Sequence, residues 1–155
     1  MISVALVEPE IPQNTGNIAR LCPALRASLH IVGTTGFRMD DRAVRRAGLD
    51  YWSEVILHRH RDLLELQDSL PEARLVYFST KAKQMYFNWQ FHQEDCLVFG
   101  SESRGLPEEL LRKNWNHCLT IPMLNPRVRS LNLANSVAIV LYEALRQNDA
   151  FSNSH

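Results

Sequence analysis

Polar side chains able to bind or orient a ligand gather in three loops of this chain. The first is EPEIPQNTGN, where Asn14 and Asn17, with Arg20 just beyond, follow two prolines. Asn17 and Arg20 lie one helical turn apart, so an amide and a guanidinium can reach a single ligand oxygen; a capped helix with a solvated arginine would use the same residues. The second is GSESRGLP at 100–107, where Gly100 and Gly105 permit close backbone approach and Glu102 and Arg104 add a carboxylate and a guanidinium. The third lies within Ile121 to Glu143, IPMLNPRVRSLNLANSVAIVLYE. Pro122 and Pro126 stiffen an irregular loop, and a helix is expected from near Ser130. Ser130, Asn132 and Asn135 crowd donors and acceptors around its unpaired first-turn N–H groups. Taken alone, that junction fits a ligand site and a plain Ser130 N-cap equally well.

Two further groups are basic. Arg42, Arg45 and Arg46 have i, i+3, i+4 spacing and share a helix face, with Arg38 shortly before. Phosphate contact and pairing with Asp40, Asp41 and Asp50 are equally weighted readings of that face. His58-Arg59-His60-Arg61 reads as a charged surface turn. The aromatic run Tyr86, Phe87, Trp89 and Phe91 could stack nucleobases, but core or subunit packing is the favoured reading.

Positioning these loops calls for an α/β scaffold. ISVALV at 2–7, LHIV at 29–32, LVYFST at 75–80, CLVFG at 96–100 and CLTIP at 118–122 read as short buried strands. Helical patterns lie between them: one capped by Asn14 or Thr15, one from Asp40 or Asp41 to Gly48, one over 61–70, and one from about Pro107. The alternation predicts a mostly parallel sheet with helices on both faces, where ligands bind beyond the carboxyl ends of the strands. At 155 residues the chain is the size of one domain, placed at 1–150 with a short tail at 151–155.

Composition narrows the function classes. The chain is 45% hydrophobic and 22% charged, as in soluble globular proteins. With 17 basic and 17 acidic residues the net charge is zero, so a nucleic-acid partner would have to be held by local patches. Cys22, Cys96 and Cys118 suit reduced core thiols. Without CxxC or HExxH no metal is expected. No signal-peptide core or membrane-length apolar run stands out, so a cytoplasmic protein is expected.

The wording of the loops carries a resemblance. PQNTGNIAR at 12–20, LVFGSESRGLP at 97–107, and IPM followed by RSLNLANSVAIVLYE resemble, in this order, the SPOUT-class (TrmH-like) RNA 2′-O-ribose methyltransferases. EPEIPQNTGNI and RRAGLDY are most similar to the small single-domain tRNA (cytidine(34)-2′-O)-methyltransferase subgroup. The resemblance implies methyl transfer from S-adenosylmethionine to the wobble nucleotide of tRNA, cytidine or modified uridine, by a homodimer. It also implies a deep C-terminal trefoil knot, which composition and periodicity do not suggest. By motif position, Phe78, Ser79, Gly100, Ile121, Ser130 and Leu131 would contact the cofactor, several through backbone atoms. Arg20 matches the arginine that activates the ribose hydroxyl, and Asn14, Glu102, Ser130 and Asn132 match other polar site positions. Arg42, Arg45 and Arg46 would then contact RNA. The final helix would help form the dimer through Leu133, Val137, Leu141 and Tyr142.

Three departures from the subgroup stand out. Cys22-Pro23-Ala24-Leu25-Arg26-Ala27 puts proline inside the first helix with no glycine after it, which predicts a kink or early end near Cys22. Lys81-Ala82 replaces Lys-Gly, and Ala134 stands where serine is common.

Overall fold

Strand β1 (Ser3–Val7) is the centre of the architecture: it pairs in parallel with β2 (Ser28–Val32) on one side and β6 (Cys96–Phe99) on the other. This geometry comes from a computed structural model, which describes residues 1–152, the side chains of 48–50 excepted. Outward from β2 lies β3 (Leu57–His60). Outward from β6 come β4 (Leu75–Phe78), β7 (Cys118–Thr120) and β5 (Gln84–Met85), giving a seven-stranded, all-parallel sheet in the order β3-β2-β1-β6-β4-β7-β5.

Alternating strand residues feed two cores. Val4, Leu6, Leu29, Ile31, Val76, Phe78, Leu97 and Phe99 pack beneath α1 (Pro12–Ala24) and α5 (Leu133–Gln147). Ala5, Val32, Tyr77, Cys96 and Val98 face the other way, under α3 (Leu63–Ser69) and α4 (Glu108–Lys113). Burial on both sides explains why the strands read as continuous apolar runs. The three cysteines are buried free thiols, and burial pushes those of Cys22 and Cys96 up to about 12. Strand β7 lies between β4 and β5 in the sheet, and β5 belongs to the segment joining β4 to β6. This strand order is compatible with the C-terminal trefoil threading that the resemblance implies.

Several sequence expectations are corrected. Residues 57–60 form an edge strand rather than a surface turn, since pairing with β2 supplies the ladder that their polar side chains do not advertise. Strand β5, only two residues long, is set by its pairing with β7 and has no local signal. Helix α1 starts at Pro12 with Ile11 as N-cap, not at Asn14 or Thr15, because proline at the first helical position needs no N–H partner. Helix α5 starts at Leu133, with the Asn132 side chain accepting from the Asn135 N–H at 3.2 Å, so Asn132 and not Ser130 is its cap. Leu133, Val137 and Leu141 are buried in the chain's own core and cannot meet a partner. The exposed stripe of α5 is Asn135, Ile139, Tyr142 and Arg146, at i, i+4, i+7 and i+11. Tyr142 stacks on Phe151, which ties the start of the expected tail back to α5; residues 153–155 lie outside the description.

The proline in α1 has the expected effect. The helix ends at Ala24, one residue past Pro23, and Arg26 takes the left-handed conformation (φ 52°). The Ala27 N–H donates to Cys22 C=O at 2.9 Å and the Arg26 N–H to Pro23 C=O at 3.2 Å, a Schellman cap with arginine where glycine is usual. Relieving that strain, Arg26→Gly should raise stability by about 1 kcal/mol, or about 2–4 °C in a thermal melt.

On the α3 face, a buried polar chain joins three strands. Ser28 Oγ donates to Ser3 Oγ (2.9 Å) and meets His30 Nε2 (3.1 Å), while His30 Nδ1 meets His60 Nε2 at 2.8 Å. His58 and His60 both stack on the His30 ring. Burial first, then the neighbouring His58 and His60, lowers the His30 pKa from 6.5 to about 4. The unfolded chain thus binds the extra proton between those values, so stability is full above about pH 6.5 and falls as pH drops through about 4. Melts at about pH 5 and about pH 7.5 should show a lower transition in acid, and His30→Gln should flatten that difference.

Candidate cofactor and substrate cleft

Beyond the carboxyl ends of β4, β6 and β7, the connecting loops leave a cleft of about 550 Å³, within the size range of small-molecule sites. Phe78, Ser79, Gly100, Ile121, Ser130 and Leu131 all line it, as do Asn14, Glu102 and Asn132. Nine positions named from sequence therefore converge on one cavity. Stacked Phe78 and Phe99 rings, with centroids 4.7 Å apart, form an apolar wall with Leu119 and Leu133. Residues 121–132 are irregular, closed only by a turn in which the Val128 N–H donates to Asn125 C=O. Flat apolar walls beside non-helical backbone suit a ring system with polar edges. This fits an adenine nucleoside better than a polyphosphate, for which the chain offers no glycine-rich cradle.

A directional hydrogen-bond chain holds the three loops together. Glu102 accepts from the Glu10 N–H (2.9 Å), the Ile11 N–H (2.7 Å) and the Asn14 side-chain amide (3.2 Å). Asn14 Oδ1 accepts from Asn132 Nδ2 at 3.0 Å, and Asn132 Oδ1 caps α5. An ionised carboxylate only accepts, so Glu102 fixes which way Asn14 points, and Asn14 fixes Asn132. A parallel link joins the rim: the Ser103 hydroxyl donates to Glu10 at 2.6 Å, and this bond is the largest of the causes lowering the Glu10 pKa.

Gly100 allows the returning 105–106 backbone to pass close to the end of β6. A Cβ there would lie 2.1 Å from the Gly105 carbonyl carbon and 2.3 Å from Leu106 N. The loop returns close enough for this contact because Gly105 takes φ 67° and donates its N–H to Ser101 C=O.

Other expected site residues lie elsewhere. Arg20 is exposed on α1, its guanidinium 5.1 Å from the Tyr51 ring centroid, and does not line the cleft. It lies six positions beyond Asn14 on the helix, which turns it to a different face of α1. Arg42, Arg45 and Arg46 are exposed on α2 (Arg42–Gly48), also away from the cleft. Asp40 is taken by Arg38 and Asp41 by the Ala43 N–H, while Asp50 lies outside the described side chains. Those three arginines have no acidic partner among the described residues; Arg45 lies over Trp52. Sequence reasoning did not assign Arg129 to the cleft, although it lies inside a quoted motif and lines the cavity; Arg104, noted in the second loop, lines it too. Among the described residues no group of three histidine, cysteine or acidic side chains is arranged to hold a metal ion, and no helix is long and apolar enough to cross a membrane.

The SpoU rRNA Methylase family matches residues 1–142. The chain belongs to this family. Among its SpoU relatives, the tRNA (cytidine(34)-2′-O)-methyltransferase of Burkholderia cenocepacia is 44% identical over 149 residues, covering 95% of this chain and 96% of the relative. The protein of the same name from Saccharophagus degradans is 44% identical over 150 residues, with the same coverages. A solved structure concerned with 2-OH methylation of C/U34 on tRNA superposes with a TM-score of 0.91 at 44% identity, covering 97% of both chains. The SpoU methyltransferase AviRb of Streptomyces viridochromogenes, solved in complex with AdoMet, superposes at 0.85 and 27% identity, covering 96% of this chain and 60% of AviRb.

Proposed function

We propose that this protein is a tRNA 2′-O-ribose methyltransferase that uses S-adenosylmethionine and modifies the wobble nucleotide, cytidine or modified uridine 34, as a cytoplasmic homodimer. The observation that carries the reading is the convergence of three loops on one cleft through the Glu102–Asn14–Asn132 chain. The full-length likeness to tRNA (cytidine(34)-2′-O)-methyltransferases supports the substrate.

Phe78, Ser79, Gly100, Ile121, Ser130 and Leu131 would hold S-adenosylmethionine, partly through main-chain groups, so side chains as unlike as Phe78 and Ile121 can serve a polar molecule. When bound, it supplies an electrophilic methyl group. The residues then have to place the ribose 2′-hydroxyl in line with that methyl and help it lose a proton. Asn14, Glu102 and Asn132 keep the walls in register, and Ser130 adds a hydroxyl beside them. A guanidinium carries positive charge and only donates, so Arg20 stabilises developing charge on the ribose oxygen rather than taking the proton; a substrate phosphate is the better base.

Because Arg20 faces away from its own cleft, the homodimer reading gives it a destination in the partner's. The exposed α5 stripe, with Ile139 37% and Tyr142 49% accessible, is an apolar face for that contact. Arg42, Arg45 and Arg46 would meet tRNA phosphates.

Incubation with tRNA and labelled S-adenosylmethionine, followed by nucleoside mapping, should place label on the ribose at the wobble position. Absence of transfer to any tRNA would refute the proposal. The breadth of the SpoU family keeps a second reading open, methylation at another tRNA or rRNA position, which the mapped nucleotide separates.

A further inference from the structure

Outside the hydrogen-bonded walls, the cleft rim carries two cations that the catalytic reading leaves unused. Arg104, in the tight 101–105 turn, and Arg129, in the proline-stiffened loop, both line the cleft and are exposed. Among the described residues neither forms an ion pair, although acids are close at hand in the sequence. Glu102 is occupied by α1, Glu10 bonds Ser103 and is only weakly influenced by Arg104, and Glu108 holds Lys81 at 2.8 Å. The nearby carboxylates are thus committed to other partners. The same loop exposes Leu124 completely (101%) and Val128 by 45%, leaving an exposed apolar strip beside the arginines. Unpaired guanidiniums next to bare apolar surface at a cleft mouth match an RNA strand, which offers phosphates and base faces side by side.

We propose that Arg104 and Arg129 bind the phosphates flanking the target ribose, with Leu124 packing against a neighbouring base, so that the rim sets which nucleotide enters the cleft. The inference rests on the RNA-methyltransferase reading. It differs from that reading in assigning the RNA grip nearest the chemistry to the rim loops rather than to α2. Both guanidiniums could instead serve a carboxylate of the cofactor, and the test separates the two sources.

Arg104→Ala, Arg129→Ala and Leu124→Ala replace exposed groups, with Arg59→Ala on the far edge strand as a control. tRNA binding is measured by filter retention across a salt series, and S-adenosylmethionine binding by calorimetry. Each arginine variant should weaken tRNA binding about tenfold, and should lower the slope of log affinity against log salt by about 0.7–0.9. Leu124→Ala should weaken binding with the slope unchanged, while cofactor affinity stays within about twofold and Arg59→Ala behaves as wild type. Variants that bind tRNA as tightly as the parent would overturn the proposal, as would a loss of cofactor affinity with tRNA binding intact. A parent protein that binds no tRNA would instead refute the underlying functional reading.

Discussion

An Arg20→Ala protein is expected to lose methylation activity by about 100-fold or more while binding S-adenosylmethionine as the parent does. The reason is geometric. Arg20 contributes no wall to its own cleft and rests over Tyr51, so its removal leaves the Glu102–Asn14–Asn132 chain and the cavity intact. If the guanidinium serves the partner's cleft, mixing should rescue it. Arg20→Ala chains re-paired with Leu131→Trp chains, whose clefts are blocked but whose Arg20 is present, would form about half mixed dimers, each with one complete site. Activity should return to about a quarter of the parent's. Recovery of nothing would place Arg20 in its own subunit's reaction or outside the reaction altogether.

The second large effect is expected from the smallest substitution. Gly100→Ala puts a methyl group into the backbone of Gly105 and Leu106, which are not flexible side-chain ends and cannot swing aside. The 101–106 segment must move, taking Glu102 away from Glu10, Ile11 and Asn14. Overpacking of this kind costs about 3 kcal/mol, or about 10 °C in a chain of this size, and cofactor binding should disappear even below the transition. Calorimetry at low temperature checks this. An alanine variant with parental affinity would mean that the loop relaxes without disturbing the cleft.

Much of the cleft was legible because its residues are local in sequence. Asn14, Gly100, Glu102, Ile121, Ser130 and Asn132 all fall in loops that punctuate short apolar strands, and strand-end loops are where a parallel sheet exposes ligands. Where the reading failed, the deciding partner came from far along the chain. Asn14 looked like a cap, yet its side chain is held in the cleft wall by Glu102, 88 residues away. The polar strand 57–60 has no apolar alternation and is recognisable only by its pairing with β2. For α5, periodicity correctly marked Leu133, Val137 and Leu141 as one face but could not say whether a sheet or a second subunit would cover it; the sheet does. The order in which seven strands assemble has no local signature at all.

The two ends of the sheet have a consequence for solubility. An open parallel sheet offers a row of unpaired backbone groups at each edge, and a chain with zero net charge has no long-range repulsion to hold copies apart. Here one edge, β3, presents Arg59 between two imidazoles, and the other, β5, is only two residues long. A stray strand pairing at the first would lie beside charge, and at the second would gain almost no ladder. Edge-to-edge aggregation is thereby suppressed by shape and local charge.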